Sequence, residues 1–184
     1  ADLSTRTVAV TLGAATNIAA AQITKSTQVV APTPAFQKSK LVIPNAVTEA
    51  PSSITYIFAL NSPLETSTPD TIALLLPTFQ FGTLATPAES GCGSTVITAT
   101  AANTGQATAT LTLAAGTAVL NAYDECSVTI ATGVTTSSTA QVVNWSSRTA
   151  AVTFADSDVT DISAVKITTS TVTVAPALTV TALV

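Results

Sequence analysis

The sequence predicts an all-β fold, an antiparallel β-sandwich, on three observations. Thr, Val, Ala and Ser dominate the chain, and the branched side chains of Thr and Val suit the pleated surface of a strand. Apolar and polar residues alternate over short segments, whereas no long segment follows the period of a helix. Turn residues separate about ten such segments, the pattern of two packed antiparallel sheets of the immunoglobulin-like (Ig-like) kind.

In the first half of the chain, the clearest predicted strands are residues 54–60 and 71–76. The first places four large side chains on one face, which we assign to the core: Ile54, Tyr56, Phe58 and Leu60. The second is apolar on both faces, which favours a position in the middle of a sheet or at an interface. Before them, residues 7–12 alternate as a half-buried strand, and residues 18–30 supply one or two more, with a helical turn at residues 17–21 as the alternative. Residues 80–94 contain Gly, Pro and Ser and are predicted to be a loop.

The second half of the chain continues the same pattern. Residues 95–100 and 107–113 are predicted to form a hairpin around Asn103-Thr104-Gly105, and residues 114–117 are predicted to form a turn. Residues 125–132 form a strand with three side chains directed inward: Cys126, Val128 and Ile130. Four further segments complete the predicted sandwich: residues 141–143, 150–154, 165–174 and 178–184.

The two ends of the chain are related in sequence. Residues 16–32 read TNIAAAQITKSTQVVAP, and residues 160–176 read TDISAVKITTSTVTVAP, with ten identical positions. Upstream of these segments, Arg6 aligns with Arg148 when a two-residue gap is allowed. The period is therefore 142 residues before the gap and 144 residues after it. A period of this length is the size of a domain. We therefore predict a tandem array: residues 1–32 end a preceding repeat, 33–176 form one full repeat, and 177–184 start the next.

The composition favours an extracellular structural protein. Charged residues are 9% of the chain, against about 25% in ordinary globular domains. Such a surface must be kept soluble by hydroxyl groups, by attached glycans, or by burial against neighbouring copies. The net charge of −4 argues against nucleic acid or an anionic membrane as a partner. No apolar segment of about 20 residues is present to insert into a bilayer. The absence of Met favours a processed segment of a longer polypeptide.

Two cysteines and one asparagine are candidate modification sites. Cys92 and Cys126 lie 34 residues apart, outside any CxxC pair, so they form either a disulfide or two free thiols in the core. The tripeptide beginning at Asn144, Asn-Trp-Ser, is an acceptor for an N-linked glycan if the protein is secreted. Asp2 occupies the equivalent position in the first copy, so this glycosylation site is not a constant part of the repeat.

Asp156, Asp158 and Asp161 are a weak candidate calcium site, because calcium binds clustered carboxylates on a loop. The first copy has Ala14 and Asn17 at the positions of the first and third of these residues. The cluster is therefore not part of every copy, and a solvated acidic turn is the alternative.

The residue inventory excludes most catalytic arrangements. The chain contains no His, which removes Ser-His-Asp and Cys-His catalysis as well as zinc sites that need a histidine ligand. It contains no phosphate-binding glycine motif, and its ten acidic residues are scattered. We therefore expect neither an enzyme nor a cofactor. The lysines Lys25, Lys38 and Lys40 form the only basic group and are expected to make salt bridges to a neighbouring repeat.

Four segments carry a resemblance to a known family. They are ITYIFALNSPL from Ile54, PDTIALLLPTF from Pro69, ATATLTLAAGTAV from Ala107 and CSVTIATGVTT from Cys126. With their Leu-Pro-x-Phe corner, Ala-Gly-Thr turn and Ile-x-x-Gly-Val strand end, they resemble a β-rich repeat of very large algal and protist surface proteins. The resemblance covers roughly residues 53–176. It implies an extracellular, repeated, non-enzymatic module and transfers no catalytic residue.

Together these observations predict a structural module of an extracellular or cell-surface fibre. Its partners are then neighbouring copies of itself or adjacent repeats, joined end to end or through strand edges, with glycans as a further class. One alternative is an adhesin domain that binds carbohydrate or protein through its loops. Another is a subunit of a pilus or surface layer assembled by strand addition. Aromatic residues are only 4% of the chain, which counts against sugar binding.

Overall fold

The computed structural model describes residues 7–10, 18–22, 33–45, 47–66, 68–141, 147–156, 159–167 and 169–170. The chain separates into two compact units, Ala1–Pro32 and Thr33–Val184. All the regular secondary structure among the described residues is β-strand. The predicted strand at residues 178–184, the pair Val142-Val143, and residues 168 and 171–174 of the predicted strand 165–174 lie outside the described residues.

The smaller unit contains one antiparallel pair of strands. Strand β1 (Thr7–Val10) pairs with β2 (Ile18–Gln22). Thr7 lies opposite Gln22 and Val10 lies opposite Ile18, with a bulge between Val8 and Val10. Both strands start where the alternating sequence predicts them.

The larger unit folds into two packed sheets. In chain order its strands are β3 (Phe36–Val42), β4 (Pro51–Leu60), β5 (Thr71–Leu75), β6 (Gln80–Phe81), β7 (Ala88–Ser90), β8 (Ile97–Ala102), β9 (Thr110–Ala115), β10 (Cys126–Thr135), β11 (Thr149–Thr153), β12 (Ile162–Lys166) and β13 (Thr169–Ser170). The five-stranded sheet has the order β12–β11–β5–β9–β8 and is antiparallel throughout. The six-stranded sheet has the order β13–β3–β4–β10–β6, with β7 also paired to β10. It is antiparallel except for the pair β13–β3.

The predicted all-β sandwich of about ten strands in two antiparallel sheets is therefore confirmed. Its core lies between the sheets, because inward and outward side chains alternate along each strand. As predicted, β4 buries four large side chains: Ile54, Tyr56, Phe58 and Leu60. Ile72 and Leu74 of β5 are buried in the same core from the other sheet. β5 is the central strand of its sheet, as its apolar sequence predicts, and its outward side chains are half-buried.

Three predictions of local structure are wrong. The strand predicted at residues 165–174 is interrupted, because β12 ends at Lys166 in one sheet and β13 begins at Thr169 in the other. Residues 80–94, predicted to be a loop, contain the short strands β6 and β7, and both pair with the outer edge of β10. Between them, Gly82 N donates to Gly133 O at 2.9 Å, and Ala85 N donates to Thr132 O at 3.2 Å. The segment therefore follows β10 as one interrupted strand. The turn predicted at residues 114–117 starts later, because β9 continues through Ala115.

The segment Leu76-Pro77-Thr78-Phe79 forms a tight corner between the two sheets. Phe79 N donates to Leu76 O at 3.2 Å, and Thr78 has a φ of 62°. Proline at the second position and a positive φ at the third are the arrangement of a type II turn. A β-branched residue is strained at such a φ, and Thr78 N is held by a 2.7 Å bond to Gln106 O. The corner then returns Phe79, which is fully buried, to the core.

Tyr56 connects the core to the pH dependence of stability. Its hydroxyl lies 2.8 Å from Ser39 Oγ in the buried interior. Burial raises the pKa of Tyr56 well above its usual value near 10, and the Ser39 hydrogen bond opposes part of that rise. Because its folded-state pKa is raised, the protonated Tyr56 hydroxyl makes its full contribution to the free energy of unfolding below about pH 10, the ordinary tyrosine pKa. This contribution is then lost as the pH rises toward the folded-state value.

We expect the free energy of unfolding to fall by roughly 1 kcal/mol over the first pH unit above about pH 10 because of Tyr56. The Tyr56→Phe variant should lose this part of the fall, as measured by urea unfolding at both pH values. In a Tyr123→Phe background, Tyr56 is the only tyrosine, and tyrosinate absorbance should then appear only as the protein unfolds. Tyrosinate absorbance in the folded protein near about pH 10 would contradict the assignment.

Candidate functional site

The two cysteines form a disulfide, and the alternative of two free thiols is excluded. Cys92 follows β7 and Cys126 is the first residue of β10; the two sulfurs are bonded at 1.94 Å, and both residues are buried. Gly91 precedes the first cysteine with a φ of 75°, and a Cβ there would lie 2.3 Å from Glu125 O. This glycine therefore allows the close approach of the two chain segments. β7 and β8 belong to different sheets, so the chain crosses from one sheet to the other between them. The disulfide joins this crossing to the first residue of β10.

The acidic residues near the end of β11 stabilise a turn. Asp161 Oδ1 accepts a hydrogen bond from Phe154 N at 2.8 Å, which closes the loop between β11 and β12. Asp156 is exposed, and its main-chain carbonyl accepts from Val159 N at 3.2 Å. Asp158 and the candidate glycosylation site Asn144 lie outside the described residues. Within the described part of the chain, no three His, Cys, Asp or Glu residues are grouped so that they could hold a metal ion.

Lys38 pairs within its own unit, whereas the sequence led us to expect a partner in a neighbouring repeat. Its Nζ lies 2.6 Å from Glu125 Oε2, and the two side chains are 41% and 54% exposed. Exposed pairs of this kind contribute at most about 1 kcal/mol. The salt bridge joins the start of β3 to the residue before β10, which are separated in the sheet by β4.

A buried polar network, which the sequence analysis missed, surrounds Arg148. This residue precedes β11 and is 1% exposed. Its Nε and Nη2 atoms donate to Gln141 Oε1 at 2.9 and 2.6 Å, and its guanidinium carbon lies 5.7 Å from the centre of the Phe79 ring. Burial lowers the pKa of Arg148 from 12.5 to about 10. The guanidinium is therefore charged at neutral pH and acts as a fixed donor.

Gln141 extends this network to the corner between the sheets. Its Nε2 atom donates to Pro77 O at 3.0 Å and to Ser137 Oγ at 2.6 Å. The network therefore joins the Leu76–Phe79 corner to the connection between β10 and β11. A sequence signal for it was present, since Arg6 and Arg148 are equivalent positions of the two copies.

Asp70 is a second buried charged residue with a structural role. Its Oδ2 accepts from Glu65 N at 2.6 Å, and its Oδ1 accepts from Ala155 N at 2.7 Å. The carboxylate thus joins the loop before β5 to the end of β11. Among the described residues, every buried side-chain nitrogen or oxygen has a hydrogen-bond partner. Asp70 and Arg148 are therefore both engaged in holding loops together.

Described residues form a surface groove at each of the two open sides of the sandwich. One, of about 320 Å³, lies between β3 and β12 and includes Phe36, Lys38 and Val165 in its lining. The other, of about 360 Å³, lies between β6 and β8 and includes Phe81 and Thr100. Neither lining contains a carboxylate. The first lining contains two lysines, Lys38 and Lys166, and the second contains no charged side chain. The described side chains of neither groove therefore provide an acid and a base for proton transfer.

Comparison with known proteins returned no match to this chain among protein-family models, curated proteins or solved structures. No helix of sufficient length and hydropathy to cross a membrane is found among the described residues.

Proposed function

We propose that this chain is a structural module of an extracellular or cell-surface fibre built from tandem β-sandwich repeats. The observation that carries the proposal is the equivalence of two hairpins, β1–β2 and β11–β12. Within β1–β2 the facing residues are Thr7 with Gln22, Val8 with Ala21 and Val10 with Ile18. Within β11–β12 they are Thr149 with Lys166, Ala150 with Val165 and Val152 with Ile162. Each pair in the first hairpin corresponds in the sequence alignment to a pair in the second.

The bulges of the two hairpins support the same interpretation. Each hairpin has one irregularity, between Val8 and Val10 in the first and between Ala150 and Val152 in the second, which are equivalent positions. A register is specified by the pattern of buried residues on a strand, and bulges are retained as features of a fold. The two-residue difference in period falls in the loops between the strands. Sequence duplication is thus accompanied by duplication of backbone pairing.

Among the described residues of its own unit, the hairpin β1–β2 has no further strands of the kind that accompany its counterpart. In the larger unit β11 pairs with β5, which continues the sheet through β9 and β8. A two-stranded hairpin is at best marginally stable in water. In an array, β1–β2 would complete the five-stranded sheet of a preceding repeat, and residues 33–176 would form the next repeat. The boundary between the compact units, after Pro32, coincides with the end of the duplicated segment.

An extracellular location is supported by the Cys92–Cys126 disulfide, because such bonds persist in oxidising compartments. The low content of charged residues fits a surface covered by neighbouring repeats or by glycans.

Strand addition between separate subunits is the second candidate, and β8 favours it. This six-residue edge strand, ITATAA, contains no charged residue and no proline, the two features that usually protect an edge from pairing. Among the described residues it pairs only with β9. An adhesin function has weaker support, because Tyr56 is buried in the core and Tyr123 is the one tyrosine exposed for stacking on a sugar.

The mass of the native polypeptide tests the proposal. An antibody raised against the folded domain should detect, after reduction and enzymatic removal of glycans, a polypeptide many times larger than 18.4 kDa. Its peptide map should contain several variants of the segment that ends at Pro176. A mature polypeptide near 18.4 kDa would overturn the array and favour the subunit assembled by strand addition.

A further inference from the structure

We propose that the larger unit resists tension along the chain because its first and last described strands, β3 and β13, are parallel neighbours loaded in shear. This inference rests on the proposed function, since tension reaches a repeat through the chain on either side of it. The unit would stay folded under a pulling force that unfolds a sandwich whose terminal strands can be peeled from the sheet one hydrogen bond at a time.

The direction of the two strands carries the argument. β3 is the first strand of the unit, and β13 lies beside it in the same sheet, with Thr169 opposite Lys40 and Ser170 opposite Leu41. Because the pair is parallel, the chain enters β3 at one end of the strand axis and leaves β13 toward the other. Tension therefore pulls β3 backward and β13 forward along their common axis. Each strand must slide past its neighbour before either can leave the sheet.

Sliding requires many hydrogen bonds to break together. On its other side β3 pairs with β4 at six positions, from Phe36 opposite Leu60 to Val42 opposite Thr55. A slip of one residue, roughly 3.4 Å, disrupts all of these pairs and the two pairs with β13 at once. Peeling from one end would break them one at a time. The force needed in shear therefore grows with the number of pairs, whereas the force for peeling does not.

Side chains of β3 oppose the same slip. Leu41 is fully buried in the core, and Ser39 Oγ lies 2.8 Å from Tyr56 Oη. Because side chains alternate between faces, a one-residue slip would bring Lys40 to the inward face and Leu41 to the outward one. Lys38 Nζ forms a salt bridge with Glu125, the residue before β10. Displacing β3 therefore costs core burial as well as backbone pairing.

The last described residues of the unit, around β13, are connected to both sheets. The chain passes from β12 in the five-stranded sheet to β13 in the six-stranded sheet at Ile167, which is buried. Ile167 N donates to Arg148 O at 3.0 Å, and the Arg148 side chain belongs to the buried network described above. A force leaving through β13 is therefore transmitted to the core between the sheets.

Pulling single molecules of the full chain in two geometries tests the proposal. In the first, the handles are at the two ends of the chain. In the second, one handle is at the amino end and the other is a non-natural side chain at Pro63, which is exposed just after β4. Because Phe36 faces Leu60, the second geometry peels β3 from β4. We expect a several-fold higher unfolding force for the first geometry at the same loading rate. Equal forces, or a higher force on peeling, would overturn the proposal.

Proline variants localise the resistance. Alternate residues of a parallel strand bond to the same neighbour, so either Thr169→Pro or Ser170→Pro should remove an amide donor to β3 and lower the end-to-end force. The matched control is Ala101→Pro in β8, at the far edge of the other sheet. It should leave the end-to-end force near the wild-type value even where urea unfolding shows the same loss of stability. An unchanged end-to-end force in both β13 variants would overturn the proposal. The comparison of the two pulling geometries is independent of these variants, because it uses the wild-type sheet.

The disulfide identifies the unfolding unit in these traces. Reduction of Cys92–Cys126 frees a 34-residue loop, which should lengthen the extension released on unfolding by roughly 120 Å.

The two proposals fail separately. A long native polypeptide whose units unfold equally in both geometries would overturn the mechanical role and leave the array. A short native polypeptide would overturn the array, whatever force its unit withstands.

Discussion

Replacing Gly133 with alanine should lower the free energy of unfolding by on the order of 4 kcal/mol. Gly133 has a φ of 85°, and a Cβ at this position would lie 2.1 Å from Thr83 O and 2.8 Å from Leu84 Cα. All the atoms in the way are main-chain atoms. The added methyl group therefore cannot be accommodated by a side-chain rotation, and the segment that covers the edge of β10 must move.

The position of Gly133 explains why that movement is costly. It lies in the irregular part of β10, where the register with β4 shifts between Ile130 and Val134. Its carbonyl accepts from Gly82 N at 2.9 Å, and Thr132 O accepts from Ala85 N at 3.2 Å. An alanine would push this segment away and expose the edge of the six-stranded sheet. Partial loss of β6 pairing should accompany the loss of stability.

Gly93→Ala is the matched control, because Gly93 also has a positive φ, 63°, but a methyl group added there would meet no atom within 4 Å beyond its own chain neighbours. That substitution should cost only the left-handed backbone conformation, about 1–2 kcal/mol. Urea unfolding with the same m-value for both variants provides the comparison. Similar losses for the two variants would show that close packing at Gly133 is unimportant.

Removing the disulfide should have an effect of similar size. In the double variant Cys92→Ala/Cys126→Ala, the unfolded chain gains the freedom of a 34-residue loop. For a loop of this length the chain-entropy model gives about 3–4 kcal/mol of lost stability. The unfolded state should also expand, which raises the m-value.

Wild-type protein in reductant is the control for the disulfide variant. It should lose about the same stability as the double variant, and reductant should leave the double variant unchanged. A loss below about 1 kcal/mol, far under the loop-entropy value, would contradict a stabilising role for the bond. The same samples serve the pulling experiment, because reduction changes the released length without changing the pairs between β3, β4 and β13.

The sequence was sufficient for features that depend on local periodicity or on direct comparison of its own segments. Alternation places Ile54, Tyr56 and Phe58 on the inward face of β4, because successive side chains of a strand point to opposite faces. The duplicated ends matched two hairpins that prove to have the same register. The inward position of Cys126 followed from the same alternation.

Other features arise from contacts between distant segments, and no local pattern could contain them. β6 and β7 are two and three residues long, and they exist as strands because the edge of β10 supplies their hydrogen bonds. Arg148 is a residue type normally found at the surface, yet Gln141 and Phe79 from other segments make its burial possible. The parallel pairing of β13 with β3 depends on how the sandwich closes. That closure is a property of the assembled sheets, so the pairing of the first and last described strands of the unit emerges only in the tertiary structure.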